Sequence, residues 1–102
     1  MQFHGFDWDD GNIAKCQKHG LSVEEIEGLF EGPFDVFPDA AHSISETRLR
    51  AIGRLSSGRW VFCAFTIRQF GDLNLVRPIS ARYMHAREIA YYEKEVARSA
   101  NR

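Results

Sequence analysis

Three strand-like segments follow one another between residues 47 and 81, and they restrict the fold more than any other part of the chain. The turns between them are short: residues 56–58 read Ser-Ser-Gly, and Gly71 precedes Asp72. Turns of this length join neighbouring antiparallel strands. The sequence therefore predicts an antiparallel sheet. Its central strand is residues 60–67, which are almost wholly apolar.

Helical patterns flank this run on both sides. The first helix follows an acidic cluster and is closed by Gly20, a favourable residue just past a helix end. The second begins at a capping box made by Ser22 and Glu25. The third covers residues 85–98, and its spacing predicts core-facing Ile89, Tyr92 and Val96. The 102 residues predict a single α+β domain, an antiparallel β-sheet covered by two N-terminal helices and a C-terminal helix.

Charge is divided unevenly along the chain. Residues 1–46 hold two bases against ten acids, a net charge of −8, whereas residues 47–102 hold eleven bases against four acids, a net charge of +7. All but one of those eleven bases are arginines, whose planar guanidinium groups bind phosphate oxygens in pairs. The pattern therefore indicates phosphate recognition. It would also arise if acidic helices simply packed beside a basic sheet, and the sequence leaves both interpretations open.

Several classes of protein do not fit the composition. The N-terminus has no basic segment followed by an apolar run, and no apolar stretch approaches the length of a membrane span. Cys16 and Cys63 are two distant thiols, which form neither a disulfide framework nor a zinc motif. The acidic residues do not cluster in a way that suits two divalent ions. We therefore expect a cytoplasmic protein with no metal, no cofactor and no contact with a membrane.

Side chains suited to phosphate chemistry meet where the last strand leads into the last helix. Ser80 and Arg82 alternate along the strand and so share a face. His85 and Glu88 are spaced i and i+3 at the helix start, which makes them neighbours. Pro78 predicts an edge position or a β-bulge. The segment is therefore either a phosphate-binding site or an ion-paired surface corner.

An ordered series of short motifs extends over nearly the whole chain: Phe6-Asp7-Trp8-Asp9, Lys18-His19-Gly20, Glu46 with Arg48, Ile52-Gly53-Arg54, Gly58-Arg59, and Ile79-Ser80-Ala81-Arg82 leading to Arg87-Glu88. In this order the motifs resemble the BrnT family of bacterial type II toxins. The resemblance implies a RelE-like α+β fold and an endoribonuclease that inhibits translation. It also implies a BrnA-like antitoxin with a ribbon-helix-helix domain, through which alone promoter DNA is bound. We expect a 2:2 heterotetramer.

Ribonuclease chemistry without a metal needs a base for the RNA 2′-hydroxyl, an acid for the leaving oxygen, and cations for the developing charge. The candidate catalytic residues are Arg48, Arg54 and Arg82 for charge stabilisation, with His85 and Glu88 for proton transfer. The candidate substrate-binding residues are Lys18, His19, Arg50, Ser80 and Arg87. Structural roles compete with these assignments. Arg48 and Arg54 would also suit salt bridges to the acidic helices, while His85 would suit the capping of its helix and Glu88 would suit pairing with the helix dipole.

A second function fits the same charges, namely a non-catalytic module that binds RNA or a protein through its arginine-rich face. DNA binding by this chain alone is disfavoured, because no helix carries a run of bases suited to a groove. If the chain is a toxin, its inhibitor is expected to place acidic or polar side chains over one cationic face, formed by Arg48, Arg50 and Arg54 together with Ser80 and Arg82.

Overall fold

The computed structural model describes residues 2–39 and 46–100. The exposed loop predicted from the small, polar residues 39–45 therefore lies, apart from Asp39, outside the described residues. The elements in chain order are β1 (Gly5–Phe6), α1 (Asp10–Gln17), α2 (Val23–Glu31), β2 (Phe34–Pro38), β3 (Leu49–Arg54), β4 (Trp60–Phe70), β5 (Leu73–Tyr83) and α3 (Ala86–Ala100). The fold is α+β, as predicted.

The strands form one sheet in the order β1-β5-β4-β3-β2. Strands β3, β4 and β5 are consecutive antiparallel neighbours, and β4 is flanked on both sides, as the short turns predicted. Strand β2 extends the sheet antiparallel to β3. The sheet is nevertheless mixed rather than wholly antiparallel, because β1 pairs in parallel with β5. No hairpin links these two strands, which are separated by most of the chain, so turn geometry does not impose an antiparallel pairing.

Both N-terminal helices begin at capping boxes. The Ser22 hydroxyl accepts the backbone N–H of Glu25, whose carboxylate accepts the N–H of Ser22, both at 3.0 Å, as predicted for α2. In α1, Asp9 and Asn12 make the same reciprocal pair. The Asn12 side chain is buried and donates further hydrogen bonds to the carbonyl oxygens of Asp7 and Pro78, at 3.0 and 2.9 Å. Helix α1 is thereby tied to the middle of β5.

One face of the sheet is covered by α1 and α2. The residues of the shared core are Cys16, Leu21, Ile26, Leu29, Phe30, Ala51, Leu55, Val61, Cys63, Phe65, Val76 and Ala81. Packing is closest at Gly53, where a Cβ atom would lie 2.6 Å from Cδ1 of Leu29 and 2.9 Å from the carbonyl oxygen of Pro33. Only glycine allows β3 and α2 to approach so closely.

A β-bulge interrupts the pairing of β4 with β5. Ala64 lies opposite Ser80 and Phe65 opposite Pro78, so Ile79 is the extra residue. The bulge predicted from Pro78 is therefore confirmed. The bulge also changes which residues of β5 face the core. Before it the even-numbered Val76 and Pro78 are buried, whereas after it the odd-numbered Ala81 is buried. Because a bulge redirects the side chains that follow, Ser80 is placed on the face opposite to α1 and α2.

Helix α3 lies over this second face, but it does not bury its apolar side chains fully. Tyr91 is 68% exposed and Val96 is 44% exposed. The prediction that Val96 faces the core is therefore wrong. The spacing correctly indicated an amphipathic helix, but a groove of about 1240 Å³ separates much of α3 from the strands beneath it.

Candidate functional site

A groove of about 1240 Å³ lies between α3 and the second sheet face. Its apolar lining comprises Val36, Phe37, Ile52, Phe62, Met84, Tyr91, Tyr92 and Val96. Its charged or titratable lining comprises Asp35, Arg50, Arg82, His85, Arg87, Glu88 and Glu95. The floor follows from strand register, since Asp35, Ile52, Phe62 and Arg82 lie opposite one another across β2, β3, β4 and β5. Residues in such a row share one face of the sheet.

At one end of the groove, Arg82 and Glu88 form a bidentate ion pair. The two terminal nitrogens of the guanidinium each donate to one carboxylate oxygen of Glu88 at 2.7 Å. The guanidinium carbon also lies 5.0 Å from the centre of the Phe62 ring, so an aromatic face supports the cation from β4. Each side chain of the ion pair is about one third exposed, at 35% for Arg82 and 36% for Glu88. The pair is therefore rigid in geometry yet accessible from solvent.

Glu88 also helps to begin α3. Its Oε1 atom accepts the backbone N–H of His85 at 3.0 Å, which satisfies a donor that the helix itself leaves unpaired. Glu88 therefore has a structural role at the start of the helix, through a hydrogen bond that the sequence analysis did not predict. The hydrogen bonds from Arg82 and then from His85 lower the pKa of Glu88 to about 2. The carboxylate is ionised at neutral pH and is a weak proton acceptor there.

The structure brings five of the predicted site residues together in this groove: Arg50, Arg82, His85, Arg87 and Glu88. We call Arg50, Arg82, His85 and Arg87 the basic corner. Arg50 donates a hydrogen bond at 3.2 Å to the carbonyl oxygen of Pro38 on β2. Ser80 lies in the same cross-strand row as Arg50, with Ala64 between them, so it shares the face without lining the groove.

Two predicted arginines lie outside this groove. Arg54 lines a smaller adjoining pocket of about 530 Å³, where its guanidinium lies 5.9 Å from the ring centre of Trp60. It also donates to the carbonyl oxygen of Gly58 at 2.9 Å, which stabilises its own hairpin. Arg48 precedes β3, and its carbonyl oxygen accepts the backbone N–H of Asp39. Neither arginine shares the groove with Arg82.

Lys18 and His19 belong to the opposite side of the sheet. They follow α1, which packs on the covered face, and the next residue, Gly20, lies close to the Tyr83 ring. Tyr83 points away from the face of Arg82 because successive strand residues alternate. Its hydroxyl donates to a Glu25 carboxylate oxygen at 2.8 Å. Lys18 and His19 are therefore not brought together with the basic corner.

Sequence reasoning missed the contact that holds the middle of α3. The Tyr92 hydroxyl donates to the Asp35 carboxylate on β2. The Tyr92 ring meets the rings of Trp60 and Phe37 edge to face, with centroids 5.5 and 6.2 Å away. Burial and the neighbouring carboxylate raise the pKa of Tyr92. The spacing of α3 indicated only a core position, and nothing in the sequence paired this tyrosine with β2.

Ion pairs between the two halves of the chain account for part of the charge asymmetry. Arg77 pairs with Asp7 at 3.4 Å and with Asp9 at 2.8 Å, and Arg68 pairs with Glu46 at 2.9 Å. For these arginines the structural interpretation of the asymmetry holds. The basic corner differs from these arginines. Among the described residues its one ion pair joins Arg82 to Glu88, and both belong to the basic second half of the chain, residues 47–102.

The fold and this groove define a small α+β protein with a basic, solvent-accessible corner at a sheet–helix junction. The family model described as "Ribonuclease toxin, BrnT, of type II toxin-antitoxin system" matches residues 8–88. The chain therefore belongs to the BrnT family of ribonuclease toxins. A comparison with curated proteins finds no match. No helix in the described part of the chain is long and apolar enough to cross a membrane.

Proposed function

We propose that this toxin is an endoribonuclease that cleaves RNA at the basic corner, using the RNA 2′-hydroxyl as nucleophile and no metal ion. Membership of the family supports ribonuclease activity. The chemistry of the corner supports the mechanism, because Arg82, Arg87 and His85 line the groove at the N-terminal end of α3 and Arg50 lines it from β3. A helix N-terminus favours phosphate groups through its unpaired N–H donors and its dipole.

The observation that carries the proposal is the geometry of Arg82. Glu88 takes two of the five guanidinium N–H donors and fixes the plane of the group, which leaves three donors for a phosphate. A cation held in place before the reaction stabilises developing negative charge without the cost of reorganisation. We therefore assign Arg82 to stabilising the negative charge that develops around the pentavalent phosphorus. Arg50 and Arg87 are assigned to binding the same or a neighbouring phosphate.

Proton transfer is assigned to His85. Its imidazole lies at the groove, and an imidazole can act as a general base or as a general acid. Glu88 is assigned a positioning role instead, because a carboxylate whose pKa lies at about 2 accepts a proton poorly at neutral pH. Arg54 is proposed to contact a flanking phosphate from the smaller pocket. We assign no catalytic role to Lys18 or His19.

The test is cleavage of a defined RNA by the purified toxin in the presence of EDTA. We expect fragments with 2′,3′-cyclic phosphate ends. Arg82→Ala should reduce the rate by about 10²–10³-fold, the usual cost of losing one donor to transition-state charge. Arg68→Ala is the matched control, because Arg68 is an arginine of the same sheet, six residues along β4 from Phe62 and so about 20 Å from the corner.

A requirement for magnesium, or products with 5′-phosphate ends, would show the mechanism to be wrong. The alternative of a non-catalytic binding module makes a separate prediction, namely that the wild-type protein binds RNA without cleaving it and that Arg82→Ala weakens this binding. Among the described residues, no group of three or more His, Cys, Asp or Glu side chains is placed to hold a metal ion.

A type II toxin has an antitoxin partner. We propose that the partner is BrnA-like, with a ribbon-helix-helix domain that dimerises, so that two toxins and two antitoxins form the complex in the cytoplasm. Promoter DNA is then contacted by the antitoxin alone. The mass of the co-expressed complex, measured by light scattering, tests the 2:2 stoichiometry, and a 1:1 mass would refute it.

A further inference from the structure

Most of the groove beyond the basic corner has the character of a protein-docking surface. Its volume of about 1240 Å³ exceeds the roughly 300–1,000 Å³ of pockets that hold small molecules. Its floor includes Ile52 and Phe62, and its α3 wall presents the exposed side chains of Tyr91 and Val96. Apolar side chains of an amphipathic helix that remain exposed in this way mark an interaction site. Tyr91 and Val96 lie beyond the residues that the family model matches.

The charges of the groove argue against RNA as the occupant of its full length. Three arginines line it, but so do three carboxylates, and Glu88 already neutralises Arg82. A groove that follows a nucleic-acid backbone needs a surplus of positive charge along its course. That surplus is present only at the basic corner.

The opposite charges are separated along the groove. Helix α3 runs from β5 towards β2, since Glu88 bonds Arg82 on β5 and Tyr92 bonds Asp35 on β2. The end at the helix N-terminus holds Arg82, Arg87 and the positive end of the helix dipole. The other end holds Asp35 and, further along α3, Glu95, while Arg50 lies between the two ends on β3. A complementary ligand therefore carries an acid at one end, apolar side chains in its middle, and a base at the other end.

We infer that the groove under α3 docks an amphipathic segment of the antitoxin with this charge order. The inference rests on the toxin–antitoxin class of the protein and goes beyond the catalytic proposal, which involves only the basic corner. The segment inserts apolar side chains against Phe62 and Val96, and its acidic end pairs with Arg87. Bound there, it covers Arg82 and His85 and blocks access of RNA. The inhibitor is therefore held by apolar anchors as well as by acidic groups, whereas the sequence led us to expect acidic or polar side chains only.

Site-specific photocrosslinking of the intact complex tests the location. A benzophenone amino acid replaces Tyr91 in toxin co-expressed with its full-length antitoxin, and replaces Leu73 as the control. Leu73 is also an exposed apolar residue, 48% exposed, but it lies at the far end of β5, nine residues from Arg82 and so about 30 Å away. We expect a toxin–antitoxin adduct from position 91 only. Mass spectrometry of that adduct should identify an antitoxin segment with the predicted charge order.

Affinity measurements provide the second test. Val96→Asp and Glu95→Lys should each weaken antitoxin binding at least tenfold, whereas Leu73→Asp should leave it within twofold. The free toxin variants should keep their ribonuclease activity, since neither residue belongs to the basic corner. Circular dichroism checks that the variants fold.

Two results would overturn the inference: unchanged antitoxin affinity in Val96→Asp, or a crosslink from position 91 to a second toxin. If the unchanged antitoxin affinity came with a loss of RNA binding, the groove would be assigned to RNA. Failure of the catalytic proposal can be told apart from failure of this inference. If only the catalytic proposal were wrong, Arg82→Ala would still cleave RNA, and Val96→Asp would still weaken antitoxin binding.

Discussion

Replacing Glu88 by glutamine separates a positioning role from a proton-transfer role at the basic corner. Glutamine keeps the size of the side chain and can still accept the N–H of His85 at the start of α3, as it does in other capping boxes. It loses the negative charge and one of the two hydrogen bonds from Arg82. The substitution therefore changes the electrostatics of the pair while leaving the helix start intact.

The expected loss of stability follows from the exposure of the pair. Ion pairs at accessible positions contribute about 0.2–1 kcal/mol, and the parallel 2.7 Å bonds between Arg82 and Glu88 place this pair at the upper end. A loss of about 1 kcal/mol lowers Tm by about 4–8 °C in a domain of this size. Thermal unfolding followed by circular dichroism measures it, with Glu95→Gln on the same helix as the control.

The stability difference depends on pH with a definite sign. Folding lowers the pKa of Glu88 from 4.5 to about 2, because the folded state favours the charged carboxylate. Its stabilising contribution is therefore fully present above pH 4.5 and is lost as the pH falls from there towards 2. The gap in Tm between wild type and Glu88→Gln should be constant near neutral pH and should narrow below pH 4.5. A gap that widened on acidification would refute this assignment.

Cleavage kinetics complete the test. If Glu88 only positions Arg82, the glutamine variant should lose less than about tenfold in kcat, and its pH–rate profile should keep the shape of the wild-type profile. If Glu88 were the general base, the loss would be about 10²–10⁴-fold and one limb of the profile would disappear. A folded Glu88→Gln protein with the larger loss would show the positioning role to be wrong.

Three further substitutions test the framework around the site, each by denaturant unfolding. Asn12→Ala should cost about 1–3 kcal/mol, because the buried carbonyl oxygen of Pro78 loses its donor. Gly53→Ala should cost about 1–3 kcal/mol, since its Cβ would meet Leu29 at 2.6 Å. Tyr92→Phe should cost about 1 kcal/mol by removing the hydroxyl that ties α3 to β2. An unchanged stability in any of these would contradict the contact concerned.

Much of the fold could be predicted because its determinants are local. The hairpin turns order β3, β4 and β5. The capping box of Ser22 and Glu25 marks the start of α2. The aromatic residues 3–8 also indicated the short strand β1, but its pairing with β5 was not predicted, because Gly5 and Leu75 are 70 positions apart and no turn joins the two strands. The groove was missed for a related reason, because helical spacing states which side chains share a face but not whether that face reaches the sheet.

The candidate site was predictable where it is contiguous in sequence. Arg82, His85 and Glu88 meet because a strand end and a helix start adjoin. Lys18 and His19 entered the prediction only through motif order, which does not report the side of the sheet on which a helix packs. The structure places α1 on the covered face, and the sheet separates it from the groove.

The orientation of the basic corner depends on the opposite side of the protein. Side chains alternate along a strand, so a shift of one residue moves every side chain to the other face. The extra residue Ile79 makes that shift within β5 and turns Arg82 towards the groove. The preceding carbonyl oxygen, that of Pro78, accepts a hydrogen bond from Asn12 of α1. Helix α1, which packs on the covered face, thus stabilises the bulge that orients Arg82, the proposed catalytic arginine, towards the groove. Loss of the Asn12 amide should therefore reduce cleavage as well as stability, although Asn12 lies across the sheet from the RNA.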